Sequence, residues 1–346
     1  MAAVRAAVRR IRPTLPPADE APLALVACSG GPDSMALAGA ARFVLTREGV
    51  RVGLVTVDHQ LQEGSARRAE RVARWARDGG LAPVRVETVA VTGRTGGPEA
   101  AARDARYEAL AAAARAEGAA AVLLGHTRDD QAETVLLALL RGAGPRGVSA
   151  MPVRRARDGA TFLRPLLDVS RAQTAAACAA EQLPVWHDPH NSDPAYRRTH
   201  ARALLADLAQ RLGPAVVDNL ARTARLVAAD ASALDRLARR AAQRVAVPDG
   251  LSVDLLARLS AAVRTRVLHR WAVSLATPRS AVSHRHVAAL DALVTDWHGQ
   301  GAVSLPGGRA VRRRRGVLVA EAPAPAHDTP PADRSTPPTD AAGLVP

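Results

Sequence analysis

Ser29-Gly30-Gly31-Pro32-Asp33-Ser34 is the segment whose residue types and spacing say most about chemistry. Two adjacent glycines let the backbone approach a phosphate closely, and two serines offer hydroxyl donors. A helix starting at this point presents free N–H groups and the positive end of its dipole. The result is an anion cradle that needs no lysine. A negative Asp33 inside it repels phosphate unless it serves a cation, so Asp33 reads as a magnesium ligand, directly or through water. The plainer alternative is a strand-to-helix turn in which Asp33 or Ser34 only caps the helix.

A second concentration of reactive types is Gly125-His126-Thr127-Arg128-Asp129-Asp130-Gln131-Ala132-Glu133-Thr134. His126 has the chemistry to donate to a phosphate or ribose oxygen, or to be an ordinary loop histidine. Asp130 and Glu133 stand i,i+3 on one helix face. Thr127 and Asp130 also have the spacing of a capping box, and acids in a first turn complement the helix dipole.

These groups need elements to hold them. Leu23 to Cys28 is a short apolar run that leads into the glycine turn and then a helical pattern from Met35 to about Arg47. The unit repeats: strand Arg51 to Val57 and helix Ser65 to Arg77, strand Val84 to Val89 and helix Pro98 to Glu117, strand Ala120 to Leu124 and helix Asp129 to Leu140. Alternating strands and helices predict an α/β fold with a doubly wound parallel sheet, whose ligand sites lie at the C-terminal strand ends. An edge strand, Thr161 to Leu166, and a helix, Ser170 to Gln182, follow.

The first domain is expected over 1–205, with a linker at 206–213 that ends at the Gly213-Pro214 breaker. Residues 214–320 read as a smaller, mostly helical domain: a long amphipathic helix, Val216 to Val245, comes first and a strand pair near Pro306-Gly307-Gly308 last. The stretch 321–346 is rich in proline and poor in large apolar residues, and is expected to be disordered. Met1 to Arg12 has valines and Ile11 at helical spacing, which favours a packed N-terminal helix over an organelle-targeting peptide.

Composition narrows the partners. The 346-residue chain carries a formal charge of +14, which suits a polyanion without distinguishing RNA, DNA or an anionic membrane. Every one of its 47 basic residues is arginine, so mechanisms that need a P-loop lysine or a Schiff-base lysine are excluded. Cys28 and Cys178 are too far apart in sequence for a metal-ligand motif or a disulfide framework. There is no long apolar run and no secretory signal, and a cytoplasmic location is expected.

With an apolar strand before it and a helix after it, the hexapeptide resembles the loop of the PP-loop ATP pyrophosphatases, which cleave ATP between the α and β phosphates to adenylate a substrate. Further segments resemble the tRNA(Ile)-lysidine synthase family, and in that family's order: Val57-Asp58-His59-Gln60-Leu61, Ala102-Arg103-Asp104-Ala105-Arg106-Tyr107, the His126 segment, Arg141-Gly142-Ala143-Gly144, Leu163-Arg164-Pro165-Leu166 and Trp186-His187-Asp188-Pro189-His190-Asn191. The resemblance is strong over about residues 20 to 205 and weak beyond. It implies ATP, magnesium, free L-lysine and a CAU-anticodon tRNA(Ile) as cofactors and partners. It also implies a carbon–nitrogen ligation that forms lysidine at the wobble cytidine through an adenylated tRNA, with release of AMP and pyrophosphate.

By the same resemblance, Ser29, Gly30, Gly31, Pro32, Asp33, Ser34 and His59 would bind the nucleotide, with Asp33 on the metal. Asp33, Arg106, His126, Asp130, Glu133 and Arg198 would form the catalytic set, Asp130 and Glu133 receiving the α-ammonium of lysine. Where the family tends to have Arg-Asn this chain has Arg198-Thr199, so Arg197 and Arg198 both stand for the arginine role. Trp75, Trp186, Trp271 and Trp297 read as core rather than base platforms. The run Arg312 to Arg315 reads equally as a tRNA-backbone contact or a solvated strand. The oligomeric state is open, a homodimer included. The rival readings are another PP-loop tRNA-modifying enzyme, such as a thiolase, and a non-catalytic RNA-binding protein.

Overall fold

The computed structural model describes residues 1–15, 21–60, 64–90, 98–186, 197–278 and 281–321. It divides into two compact units, 1–231 and 232–346. Of the stretch 321–346 expected to be disordered, Glu321 ends a strand and the rest lies outside the described residues, as does the segment from His187 to Asn191.

In the first unit α1 (Ala2–Arg9) buries Val4, Ala7 and Val8, the packed N-terminal helix that its spacing predicts. Then follow β1 (Leu23–Ala27), α2 (Pro32–Leu45), β2 (Arg51–Asp58), α3 (Ser65–Asp78), β3 (Val84–Thr88), α4 (Pro98–Ala116), β4 (Ala121–Leu124) and α5 (Arg128–Leu140). A short α6 (Pro145–Val148), β5 (Arg154–Arg157), β6 (Ala160–Leu163), α7 (Arg171–Ala180) and α8 (Arg197–Leu212) complete the run to the Gly213-Pro214 break. Residues 206–212, expected as a linker, are the last turns of α8, because their Leu, Ala and Arg continue a good helical sequence up to the glycine. The long α9 (Ala215–Val245) comes next, and the division between the units falls within it.

The sheet order is β3-β2-β1-β4-β6-β5, parallel throughout except for β5, which runs antiparallel to β6. β1 sits between β2 and β4 and is buried along its whole length. Strand alternation sends Ala24, Val26 and Cys28 into a core with α1, α2 and α7, and Leu23, Leu25 and Ala27 into a second core against Tyr107 and Leu110 of α4. The chain order reverses between β1 and β4, which opens a crevice at their C-terminal ends. The expected edge strand at Thr161 is instead an interior partner of β4, and β5 takes the edge.

The second unit contains the end of α9, β7 (Ala246–Val247), β8 (Gly250–Ser252), α10 (Val253–Ala257), α11 (Ala261–Leu275), α12 (His284–Thr295), β9 (Val303–Ser304), β10 (Ala310–Arg314) and β11 (Val317–Glu321). Where a strand pair was expected there are five strands, in the order β7-β8-β11-β10-β9, over a core that includes Leu256, Leu268, Leu290 and Leu318. Among the described residues, no helix is long and apolar enough to cross a membrane.

Candidate active site

The phosphate loop leaves β1 and starts α2, with Gly31 at the N-cap and Pro32 as the first helical residue. Gly30 has φ of 85°, a backbone that other residues adopt only with strain. Ser34 is turned inward: its Oγ accepts the Ser29 N–H at 3.2 Å, donates to the Gly31 carbonyl at 2.9 Å and lies 3.3 Å from Ser29 Oγ. Ser34 therefore holds the loop's shape, and Ser29 lines the adjoining cavity. Gly125, at the end of β4, rests on this loop; a Cβ there would lie 3.1 Å from both Cα and N of Ser34.

Two cavities lie at the strand ends. One, of about 140 Å³, is lined by Ser29, Asp58, His59, Arg68 and Arg106, among others. The other, of about 190 Å³, is lined by Arg103, Tyr107, His126 and Arg198, and shares His59, Arg106 and Leu110 with the first. Among the described residues, no Asp or Glu lines the second cavity. Burial lowers the pKa of Arg103 and Arg106; Tyr107 opposes this in both, and Arg198 adds to it in both, with Arg164 and Arg106 acting on Arg103 as well. Burial is the largest cause and drives His126 down to about 3; Asp130 opposes the fall and Arg164, Arg106 and Arg103 add to it, so its imidazole is neutral at pH 7. His59 is lowered by burial and by Arg106. The Nδ1 atoms of both histidines are buried without a hydrogen-bond partner. Of the two arginines left open by the sequence, Arg198 lines the cavity and Arg197 is exposed.

The acidic side of the crevice is built by α5 and α7. The Thr127–Asp130 capping box forms as its spacing predicts. Asp130 Oδ2 accepts the Thr127 N–H at 2.8 Å, which leaves Oδ1 to accept from Arg171 at 3.0 Å. Arg171 also donates to Glu133 Oε1 at 3.0 Å, and its backbone N–H donates to Asp129 Oδ2 at 2.8 Å. Arg202 reaches the same Glu133 oxygen at 3.0 Å. The Glu133 side chain is 1% exposed, and its Oε2 is buried with no hydrogen-bond partner. Burial opposes the Asp130 charge, but Arg171 holds the carboxyl below its ordinary range; burial likewise opposes the Arg171 charge, which Asp130 and Glu133 reinforce.

Asp33 belongs to this side too. It accepts a short hydrogen bond from the Thr174 hydroxyl, and Arg171 Nε lies 3.9 Å from its Oδ2. Burial pushes its carboxyl up to about 6; Thr174 and Arg171 pull it back, while Asp130 and Asp129 raise it further. Arg171 and Thr174 are absent from the sequence-derived set. The available signal was the Ser170–Gln173 capping box, which starts α7 and places Arg171, Thr174 and Cys178 on one face against the loop.

Other expectations resolve differently. Trp75 and Trp271 pack against the two cores as expected, but Trp186 and Trp297 are 36% and 39% exposed. In the arginine run, Arg312 and Arg314 both reach Glu321, at 3.3 and 3.0 Å, and Arg313 lies 5.3 Å above the Trp297 ring.

Comparison with known proteins follows the same division. The PP-loop domain family matches residues 5–209, and the TilS substrate binding domain family matches residues 251–319. The chain is 62% identical over 322 residues to the tRNA(Ile)-lysidine synthase of Salinispora tropica, covering 92% of this chain and 96% of that one. It is 52% identical to the synthase of Thermobifida fusca, covering 93% and 98%. Among solved structures, the U34-tRNA thiolase NcsA from Methanococcus maripaludis, with its [4Fe-4S] cluster, shares the fold at a TM-score of 0.53 and 15% identity, over 65% of this chain and 79% of that one. A strand-end phosphate loop inside a matched PP-loop domain, with identity sustained over nearly the whole length of such relatives, leads to one conclusion: the chain belongs to the tRNA(Ile)-lysidine synthase family.

Proposed function

We propose that this protein uses ATP to ligate free L-lysine to C2 of the wobble cytidine in CAU-anticodon tRNA(Ile), in the cytoplasm. In the first step cytidine O2 attacks the α-phosphorus of ATP and pyrophosphate leaves. In the second, the lysine ε-amine attacks C2, the C2–O2 bond breaks with AMP as leaving group, and the amine loses a proton. Adenylation is what turns a poor oxygen leaving group into a good one.

The chain's own residues divide this work by charge. Gly30, Gly31 and the start of α2 offer backbone donors to phosphate. Arg103, Arg106 and Arg198 line the second cavity and suit phosphate oxygens, as does the N–H that a neutral His126 retains. Magnesium fits Asp33: a half-buried carboxyl raised to about 6 beside two further acids favours a cation. Among the described residues no group of three or more acids, histidines or cysteines forms a cage, which suits an ion held by one carboxylate together with phosphates. When bound, magnesium would neutralise charge on the phosphates.

The observation that carries the amino-acid part of the reading is the buried Glu133 Oε2 that lacks a partner, beside a carboxylate pair tied to arginines. A zwitterion matches such a site, its α-ammonium on Glu133 and Asp130. Thiolation chemistry, by contrast, finds only two buried cysteines, each with a pKa raised by burial. Incubation with ATP, labelled lysine and a CAU-anticodon transcript should place label in RNA in step with AMP release. AMP release without label in RNA would overturn lysine as the acceptor, and neither product would return the chain to a non-catalytic RNA binder.

A further inference from the structure

Beside the phosphate loop, a stripe of arginines meets an exposed tryptophan. α3 buries Ala69, Val72, Ala73 and Ala76, while Arg67, Arg71 and Arg74 follow one another at i, i+4 and i+7 on its exposed face. The guanidinium carbons of Arg68 and Arg71 lie 5.2 and 5.4 Å from the centre of the Trp186 ring. Together these side chains line an open groove of about 510 Å³. Glu70, the one acid among its described lining residues, is already paired with Arg77 at 2.9 Å.

The groove is continuous with the nucleotide site. Trp186 donates its backbone N–H to the Gly30 carbonyl at 2.8 Å, and Arg68 lines both the groove and the nucleotide cavity. Like charges three and four residues apart on a helix repel one another, so the stripe is relieved by a ligand that carries several negative charges along its length. An exposed indole between guanidinium groups adds a face for a planar ring. RNA offers both features, phosphates in series and bases that stack; an anionic membrane offers only the first.

We propose that this groove holds the tRNA strand next to the reacting base, with phosphates along Arg67, Arg71 and Arg74 and a base or ribose against Trp186. The inference rests on the reading of the chain as a tRNA-modifying enzyme and adds to it the surface that presents the RNA.

The test is affinity for the tRNA transcript between about 50 and 200 mM salt, with ATP affinity measured in parallel. Arg67→Glu/Arg74→Glu changes two exposed positions that favour helix either way. It should weaken tRNA binding at least about tenfold at low salt and flatten the salt dependence by about one to two phosphate contacts, with ATP affinity unchanged. Trp186→Ala should weaken binding about fivefold or more, and Trp186→Phe should restore most of it. A double variant with wild-type affinity and salt slope overturns the groove alone, whereas a wild-type protein that does not bind tRNA overturns the enzyme reading with it. Loss of binding to anionic phospholipid vesicles with tRNA binding intact would assign the groove to a membrane and overturn the proposal.

Discussion

The two sides of the crevice use the same residue type to opposite effect. Around His126, arginines face one another with no carboxylate among the described residues of the cavity wall, and burial, reinforced by Arg198, lowers the pKa of Arg103 and Arg106. On the other side, Arg171 and Arg202 are ion-paired with Asp130 and Glu133, and Asp33 and Asp129 add further negative charge beside them. A cluster of like charges is under electrostatic strain until a counter-ion arrives, whereas a paired one has to exchange partners to take a ligand. What an arginine does here is decided by the neighbours that its element brings, a difference that composition alone conceals.

That contrast can be broken in several ways. The largest effect is expected at the phosphate-loop acid of the acidic side: Asp33→Ala should reduce AMP formation by about a hundredfold or more while the protein stays folded. Unchanged turnover would remove Asp33 from the site. Next come stability changes of unequal size. Arg171→Met leaves Asp130 and Glu133 short of a cation and should destabilise by about 2 kcal/mol in urea unfolding, reduced from the fully buried case because the arginine is partly exposed. Arg106→Met removes a charge that has no acid partner and should be neutral to within about 1 kcal/mol. Equal losses in the two variants would erase the distinction between the sides.

Glu133→Gln should raise the lysine requirement for label transfer about tenfold and leave lysine-independent adenylation of tRNA unaltered. A raised ATP requirement instead would move Glu133 to the phosphate side. The smallest effect concerns pH. The His126 imidazole titrates at about 3 in the folded chain against an ordinary 6.5, so between these values the unfolded chain binds the extra proton and stability falls as pH falls. The slope is at most about 1.4 kcal/mol per pH unit, and His126→Gln should remove it from urea unfolding curves taken at pH 5 and pH 6. An unchanged slope would mean that His126 is solvated.

Features written in a few adjacent residues were readable in the sequence. The glycine turn, the Thr127–Asp130 box and the run of strands from Leu23 to Leu124 each depend on local chemistry that the chain spells out. Those that failed depend on tertiary partners. β5 is Arg-Arg-Ala-Arg, which has no apolar alternation to reveal it, so the sequence pattern puts its neighbour β6 at the edge. β7 and β8 are too short to give a periodic signal and exist by pairing with each other and, for β8, with β11. Arg171 and Thr174 lie far in sequence from the acids they serve, and only the packing of α7 behind the phosphate loop brings them together. Trp186 looked like core in its apolar surroundings, but its ring is flanked by arginines of α3 that sequence distance hides.

Asp130 divides its two oxygens between different tasks, and this sets which part of the acidic pocket is free to move. Oδ2 is tied to the backbone that begins α5, and only Oδ1 faces Arg171. If a ligand ammonium displaces the guanidinium, the carboxylate keeps its anchor and the helix start keeps its position. Asp130 would then act as a fixed bench and the arginine as a removable placeholder, so that adaptation to such a ligand would fall on a flexible side chain rather than on the fold.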